Sequence, residues 1–223
     1  MDVEELFEDL KSQDAEDRRY AIEDLLDEDD ERIPAEIAEL LADKEDSVRE
    51  KAIDALMEIA DKNAVAAAIP FLSTEDVPAR NAAIEILEKI GGGAPELLID
   101  LLKGDNDDVK IFTLTIISKL GYIDEDLSAE VATLLDSDVE NVVSEACLAV
   151  TACGLDDYLP KIKEIFANSE TDSLKIHIIL AITAFDEDIA KSAFDDLEKM
   201  DISDDVKMHI NIARNMAKEN ENV

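Results

Sequence analysis

Two histidines, two cysteines and 57 carboxylates are the groups in this chain that could do chemistry. His177 and His209 lie 32 residues apart and each is followed by isoleucine. A histidine pair can catch a metal ion or sense pH, but two ligands without convergent carboxylates make a weak site. Cys147 and Cys153 stand six apart in one expected helix, a spacing that does not suit a mutual disulfide. Without a histidine nearby they do not make a zinc site. They read as small buried apolar groups of a reducing cytosol. The acid runs Asp27 to Glu31 and Asp105 to Asp108 lack the fixed ligand steps, central glycine and closing glutamate of a calcium loop, and so does Asp136-Ser137-Asp138. They read as solvated turn and capping residues. There is no G-x-S-x-G, no P-loop and no G-x-G-x-x-G. The many carboxylates single out no general-acid pair. The chain is therefore expected not to be an enzyme, with no catalytic residues, no metal and no cofactor.

Composition narrows the remaining classes. Of 223 residues, 47% are hydrophobic and 35% charged, which excludes a disordered chain and a membrane-spanning one. Six glycines and five prolines are too few for an all-β fold rich in turns. The formal charge of -36 repels phosphate backbones and anionic lipids. Neither nucleic acid nor membrane is an expected partner. Such charge either favours a basic protein partner or reflects a salt-rich cytosol. The acidic amphipathic start, MDVEELFEDL, lacks the basic residues and apolar run of a secretion signal. The expected location is cytoplasmic.

The organising feature is a repeat. The phrase Asp46-Ser47-Val48-Arg49-Glu50-Lys51-Ala52-Ile53-Asp54-Ala55-Leu56 returns along the chain with Ala21, Ala52, Ala83, Thr113, Ala146, Ile178 and Ile210 at one anchor position. The anchors are spaced by 31, 31, 30, 33, 32 and 32 residues. Each period predicts two helices. The second opens on an acidic residue (Asp46, Asp107, Asp172, Asp204) expected to accept a backbone N–H and to oppose the helix dipole. The first is shorter, with Pro34, Pro95 and Pro160 in its first turn, where a missing N–H costs nothing. Pro70 falls late in its helix and is expected to kink or shorten it. Gly91-Gly92-Gly93 reads as a helix end with a loose turn, or as a hinge. The polar last helix, with Lys207, Asn211, Arg214, Asn215 and Lys218, suits a terminal cap.

The phrase D-x-V-R-x-x-A-I-x-x-L, followed by Ala68-Ile69-Pro70-Phe71-Leu72, resembles the HEAT-like repeats found in phycobilin lyase subunits and prokaryotic adaptor proteins. The resemblance is strong over residues 15 to 103 and weaker beyond. It implies an all-α, right-handed α-solenoid (a superhelix) of about seven HEAT-like helix pairs, one domain over 1–223, with the second helices lining the concave face. It does not imply one activity, because most members bind proteins. Deoxyhypusine hydroxylases, also HEAT-repeat proteins, use His-Glu pairs for iron, and that ligand set is absent. An accessory subunit of a cofactor-handling enzyme, of the bilin-lyase type, is the alternative to an adaptor.

Two patterns cross the repeats. Arg18, Arg49, Arg80, Lys110, Lys175 and Lys207 share one position, expected to form an Asp–Arg/Lys ladder between stacked repeats. Two residues either side of each anchor, the pairs Arg19/Glu23, Glu50/Asp54 and Asn81/Glu85 are polar, whereas Ile111/Thr115, Ser144/Leu148, Ile176/Leu180 and Met208/Ile212 are largely apolar. The candidate partner-binding residues are therefore Ile111, Phe112, Thr115, Leu148, Ile176, His177, Leu180, Met208 and Ile212. The stripe is either an apolar groove or a set of more fully buried helices. The expected function is a non-enzymatic scaffold or adaptor holding a helix or peptide, with homo-oligomerisation through the same stripe as a further use.

Charge of this size makes a direct prediction. The Debye length falls from about 30 Å at 0.01 M salt to about 3 Å at 1 M, so self-repulsion should relax. The midpoint of thermal unfolding, followed by circular dichroism in rising potassium chloride, should increase; a flat profile would show that the charge is not opposing folding.

Overall fold

Seven times along the chain a short helix is followed by a longer one that carries the anchor residue. The structure is a computed structural model that describes residues 2–219, with side chains through Met216. It falls into two compact units, Met1–Leu98 and Ile99–Val223. The first contains α1 (Val3–Asp9), α2 (Ala15–Leu25), α3 (Ile33–Ala38), α4 (Asp46–Ile59), α5 (Lys62–Ala68), α6 (Val77–Ile90) and the start of α7 (Pro95–Lys103). The second completes α7 and adds α8 (Asp107–Leu120), α9 (Glu125–Thr133), α10 (Glu140–Ala152), α11 (Leu159–Asn168), α12 (Asp172–Ile182), α13 (Glu187–Leu197) and α14 (Asp204–Glu219). The described residues are all-α. In the first unit the long helices pack in the order α2, α4, α6; in the second the order is α8, α10, α12, α14, with the short helices against them.

Local chemistry starts every long helix at the same distance from its anchor. The residue seven before the anchor is extended and immediately precedes the helix: Asp14, Glu45, Asp76, Asn106, Val139 and Thr171. Asp14, Asp76, Asn106 and Thr171 accept a first-turn N–H, and Ser203 accepts that of Val206 before α14. Each such cap stabilises its helix by about 1 kcal/mol. The expected capping residues Asp46, Asp107, Asp172 and Asp204 are thus corrected by one position. They are the first helical residues, where their charge faces the positive end of the dipole but makes no capping bond. Two residues before the cap, Ser12, Asp43, Thr74, Ser137 and Ser169 accept the N–H of the capping residue itself, turning the chain from the short helix into the long one.

Prolines behave as their spacing requires. Pro34, Pro95 and Pro160 lie in the first turns of α3, α7 and α11, and Pro78, which the spacing did not single out, does the same for α6. At Pro70 the α-helix has ended, and Ile69–Ser73 tightens into a 3₁₀ turn. Gly91–Gly93 is likewise a 3₁₀ turn rather than a loose one; Gly91 is buried and right-handed, at φ -59°.

The basic ladder holds turns more than it links repeats. Arg18, Arg49 and Arg80 each donate to the carbonyl six residues earlier, at Ser12, Asp43 and Thr74, at 2.8, 2.6 and 2.7 Å. Arg18 makes the expected rung to the next repeat: its guanidinium is bidentate on Asp43 at 2.7 and 2.8 Å. Arg49, Lys110 and Lys207 instead pair with Asp46, Asp107 and Asp204 in their own first turns. Lys175 lies 5.9 Å from the centre of the Phe166 ring. In the last helix Arg214 ties α14 to α13 through Asp195 and Glu198 at 2.7 and 2.9 Å, while Lys207, Asn211 and Asn215 are exposed. Lys218, also expected in the cap, has a side chain outside the described residues.

The side chains of Arg18 and Asp43 are only 5% and 7% exposed. Burial pushes the Asp43 carboxyl up, but the hydrogen bonds from Arg18 and from the Glu45 N–H outweigh it and hold it below its ordinary value of 3.8. A lowered carboxyl contributes stability that is complete above its unfolded value and lost as pH falls through the folded one. Arg18→Ala leaves a buried carboxylate without its cation and should destabilise the chain by about 3 kcal/mol in urea unfolding at neutral pH. The gap from wild type should shrink below about pH 4 as Asp43 takes up a proton.

Candidate partner-binding face

Each long helix of the second unit buries a broad side. In α12 that side is Leu174, Ile178, Ile179, Ala181 and Ile182. A helix advances about 100° per residue, so the middle of this side lies between Ile178 and Ile182, about 20° from the anchor. The residue before the anchor and the second after it are Phe112 and Thr115 on α8, Glu145 and Leu148 on α10, His177 and Leu180 on α12, and His209 and Ile212 on α14; of these His177, Leu180 and Ile212 are exposed and the others half-buried. The position two before the anchor is a shoulder, half-buried at Ile111, Ser144 and Ile176 and exposed only at Met208.

None of the nine candidate residues is buried. Ile111, Phe112, Thr115, Leu148 and Ile176 are half-buried, His177 is exposed, and Leu180, Met208 and Ile212 are 41%, 51% and 46% exposed. Two neighbours were missed. Met216, one helical turn beyond Ile212, is also an exposed large apolar side chain; its i, i+4 spacing from Ile212 was the available signal. Glu145 shares its repeat position with Phe112 and His177, but in a chain this acidic it reads as one more solvated carboxylate.

Polar links keep these helices in register. Thr171, capping α12, donates to the first carboxylate of α10, Glu140, at 2.8 Å. Ser203, before α14, donates to the first carboxylate of α12, Asp172, at 2.7 Å. The same step of one repeat therefore sets α10 beside α12 and α12 beside α14. Between α8 and α10, the Thr115 hydroxyl stands 3.3 Å from the Glu145 carboxylate and 3.0 Å from its own Ile111 carbonyl, its single proton shared between the two. Residues at one repeat position thus fall in line across the row. At its N-terminal edge the row carries Asp107, Asp108, Glu140, Asp172, Asp204 and Asp205 in first turns.

The first unit has the same outward positions and fills them differently. Glu23, Asp54 and Glu85 are exposed where Leu148, Leu180 and Ile212 stand in the second. Lys51 reaches Glu23 at 3.6 Å, across α2 and α4, between the positions that Glu145 and Thr115 occupy across α10 and α8.

Other chemistry does not gather on this face. Among the described residues no three His, Cys, Asp or Glu side chains come together to hold a metal ion. His209 Nδ1 lies 2.9 Å from the Asp205 carbonyl of its own helix. Burial pushes the Cys147 thiol up to about 12 and the Cys153 thiol up to about 11, so both are protonated at neutral pH. Cys147 is buried, but Cys153 is half-exposed at the end of α10, its sulfur 3.6 Å from the Ile117 carbonyl. A cleft of about 420 Å³, lined by Leu135, Lys161, Glu164 and Thr171 among others, contains none of the nine residues. No helix among the described residues is long and apolar enough to cross a membrane.

Comparison with known proteins agrees with the repeat. Residues 33–111 match the family described as HEAT repeats. No curated protein matches the sequence. Among solved structures it is similar to YibA of Escherichia coli, at 19% identity over 97% of this chain and 81% of that one, with a TM-score of 0.49. The complex of CpcE and CpcF of phycocyanin lyase from Nostoc sp. PCC7120 gives 19% identity, 98% and 94% coverage and a TM-score of 0.40. Human deoxyhypusine hydroxylase gives 14%, 97% and 84%, and 0.46. These likenesses are too distant to carry a function across.

Exposure separates the face from the core by a simple test. Leu180→Ser should change stability by less than about 0.5 kcal/mol. Ile178→Ser, two residues away and fully buried, should lose about 3 kcal/mol or more. Urea unfolding of both variants measures the contrast, and equal losses would make Leu180 part of the core.

Proposed function

We propose that the chain is a non-enzymatic interaction scaffold that holds a basic amphipathic helix or extended peptide along the outward face of α8, α10, α12 and α14. The observation that carries this reading is the change of one repeat position from exposed carboxylates, Glu23, Asp54 and Glu85, to Leu148, Leu180 and Ile212, the last two 41% and 46% exposed. Apolar side chains exposed in a row give a partner's apolar residues area to bury. The acidic first turns at the edge of the row favour a basic partner and speed its approach. We take this face as the concave lining and residues 1–223 as one working domain, because the anchor period runs unbroken from Ala83 to Thr113 across the boundary between the units. Two free cysteines suit a reducing cytoplasm.

The reading predicts binding of a synthetic helical peptide of about 18 residues, roughly five turns, with leucine on one face and lysine on the other. Fluorescence anisotropy with the full chain should show saturable binding that weakens with salt. Leu180→Asp/Ile212→Asp, checked for folding by circular dichroism, should abolish it. Binding unchanged in the folded double variant would overturn the reading.

A further inference from the structure

Of the residues directly before and two after the anchors of α8, α10, α12 and α14, Glu145 alone is acidic, the others being Phe112, Thr115, Leu148, His177, Leu180, His209 and Ile212. It is half-buried. Its carboxylate is held by a neutral donor, the Thr115 hydroxyl at 3.3 Å, and no ion pair to it occurs among the described residues. At the corresponding junction in the first unit, between α2 and α4, the carboxylate of Glu23 is answered by Lys51. The second unit puts the Glu145 carboxylate where Lys51 stands and the Thr115 hydroxyl where Glu23 stands, with Phe112 and Leu148 one helical turn from Thr115 and Glu145 on their own helices. A half-desolvated charge without a counter-charge is unfavourable by itself. It becomes favourable when a cation arrives with apolar neighbours that exclude water, because a hydrogen bond to a charged group is stronger there.

Building on the function proposed above, we infer that Glu145 is the specificity residue of this face. It receives one lysine or arginine that projects from the apolar side of the docked helix. The partner is therefore a helix whose apolar stripe is interrupted by a single cation. The apolar residues before and after that cation rest toward Phe112 on one side and Leu148 and Leu180 on the other. Charge on the polar side of the helix is read only loosely by the acidic edge. The cation in the stripe is read in register, because the Thr115 bond fixes where the carboxylate stands.

The test uses two model peptides of about 18 residues. Both are amphipathic leucine–lysine helices, one with a single lysine in the middle of its apolar face and the other with norleucine there. Binding to the full chain is measured for wild type, Glu145→Gln, Glu145→Leu and the double variant Leu180→Asp/Ile212→Asp, with each fold checked by circular dichroism. The lysine peptide should bind wild type about tenfold more tightly than Glu145→Gln or Glu145→Leu. The norleucine peptide should prefer Glu145→Leu, so the order crosses over. If the Glu145 variants change both peptides alike, or change neither, while the double variant still abolishes binding, this inference falls and the scaffold reading stands. If neither peptide binds wild type, or the double variant binds as wild type does, the scaffold reading falls and takes the inference with it.

Discussion

Neither helix of a pair can bury its apolar side without a neighbour. The short helices are six to eleven residues long and the long ones eleven to sixteen. Isolated helices of such length are marginal in water. Within each unit every long helix lies against the long helix of the next pair. That packing explains the small or compact anchors, the common starting point seven residues before each, and the cross-repeat bonds from Thr171 and Ser203 to the preceding first turn. Stacking also separates the residues of a long helix into two kinds. Those within about 100° of the buried direction answer to packing, and those opposite it answer to nothing inside the chain.

This separation explains how much was legible in the sequence. The period could be read because the anchors are buried in every repeat, and a buried position tolerates few residue types. The short–long alternation and the proline positions followed from local rules. The long helices do open on Asp46, Asp107, Asp172 and Asp204, but the capping bond was expected one residue late. Acidic residues favour both the cap and the first turn, and composition does not distinguish a carboxylate that accepts an N–H from one that merely faces the dipole. The ladder runs to the next repeat at Arg18 but along its own helix at Arg49, Lys110 and Lys207. A basic residue amid acids can pair along its own helix or across to the next, and the turn carbonyls at Ser12, Asp43 and Thr74 were not visible as competitors. Of the apolar positions flanking the anchors, Leu180, Met208 and Ile212 are exposed and Ile111, Thr115, Leu148 and Ile176 half-buried, a difference that residue type alone does not carry.

Charge divides along similar lines. Many lysines are spent on exposed pairs between neighbouring short-helix segments, such as Lys62 with Glu96, Lys103 with Glu130, Lys161 with Asp136 and Lys163 with Asp196. The last of these, with Lys199, lowers the Asp196 carboxyl to about 2. Pairs of this exposed kind contribute little to stability. With 21 basic against 57 acidic residues, most carboxylates have no cation to meet. The buried Arg18–Asp43 pair is a different case, since desolvation makes losing one partner far more damaging than losing an exposed pair.

A position free of packing can take any residue the solvent tolerates, and solvent favours polar ones. Glu23, Asp54 and Glu85 are what that preference alone would produce in a chain already rich in carboxylates. Leu148, Leu180 and Ile212 occupy the same position without contributing the burial that justifies an aliphatic side chain elsewhere, since Leu180 and Ile212 keep close to half their surface in water. Their helices do not need them: the buried sides of α10, α12 and α14 are already complete with residues such as Ala146, Ile178 and Ile210, all fully buried. Stability therefore does not select these leucines and this isoleucine. The proposed docked helix supplies what the fold does not, a second apolar surface for them to meet. Glu145 fits the same logic from the polar side, as a charge whose neighbours in the fold satisfy it only with a hydroxyl.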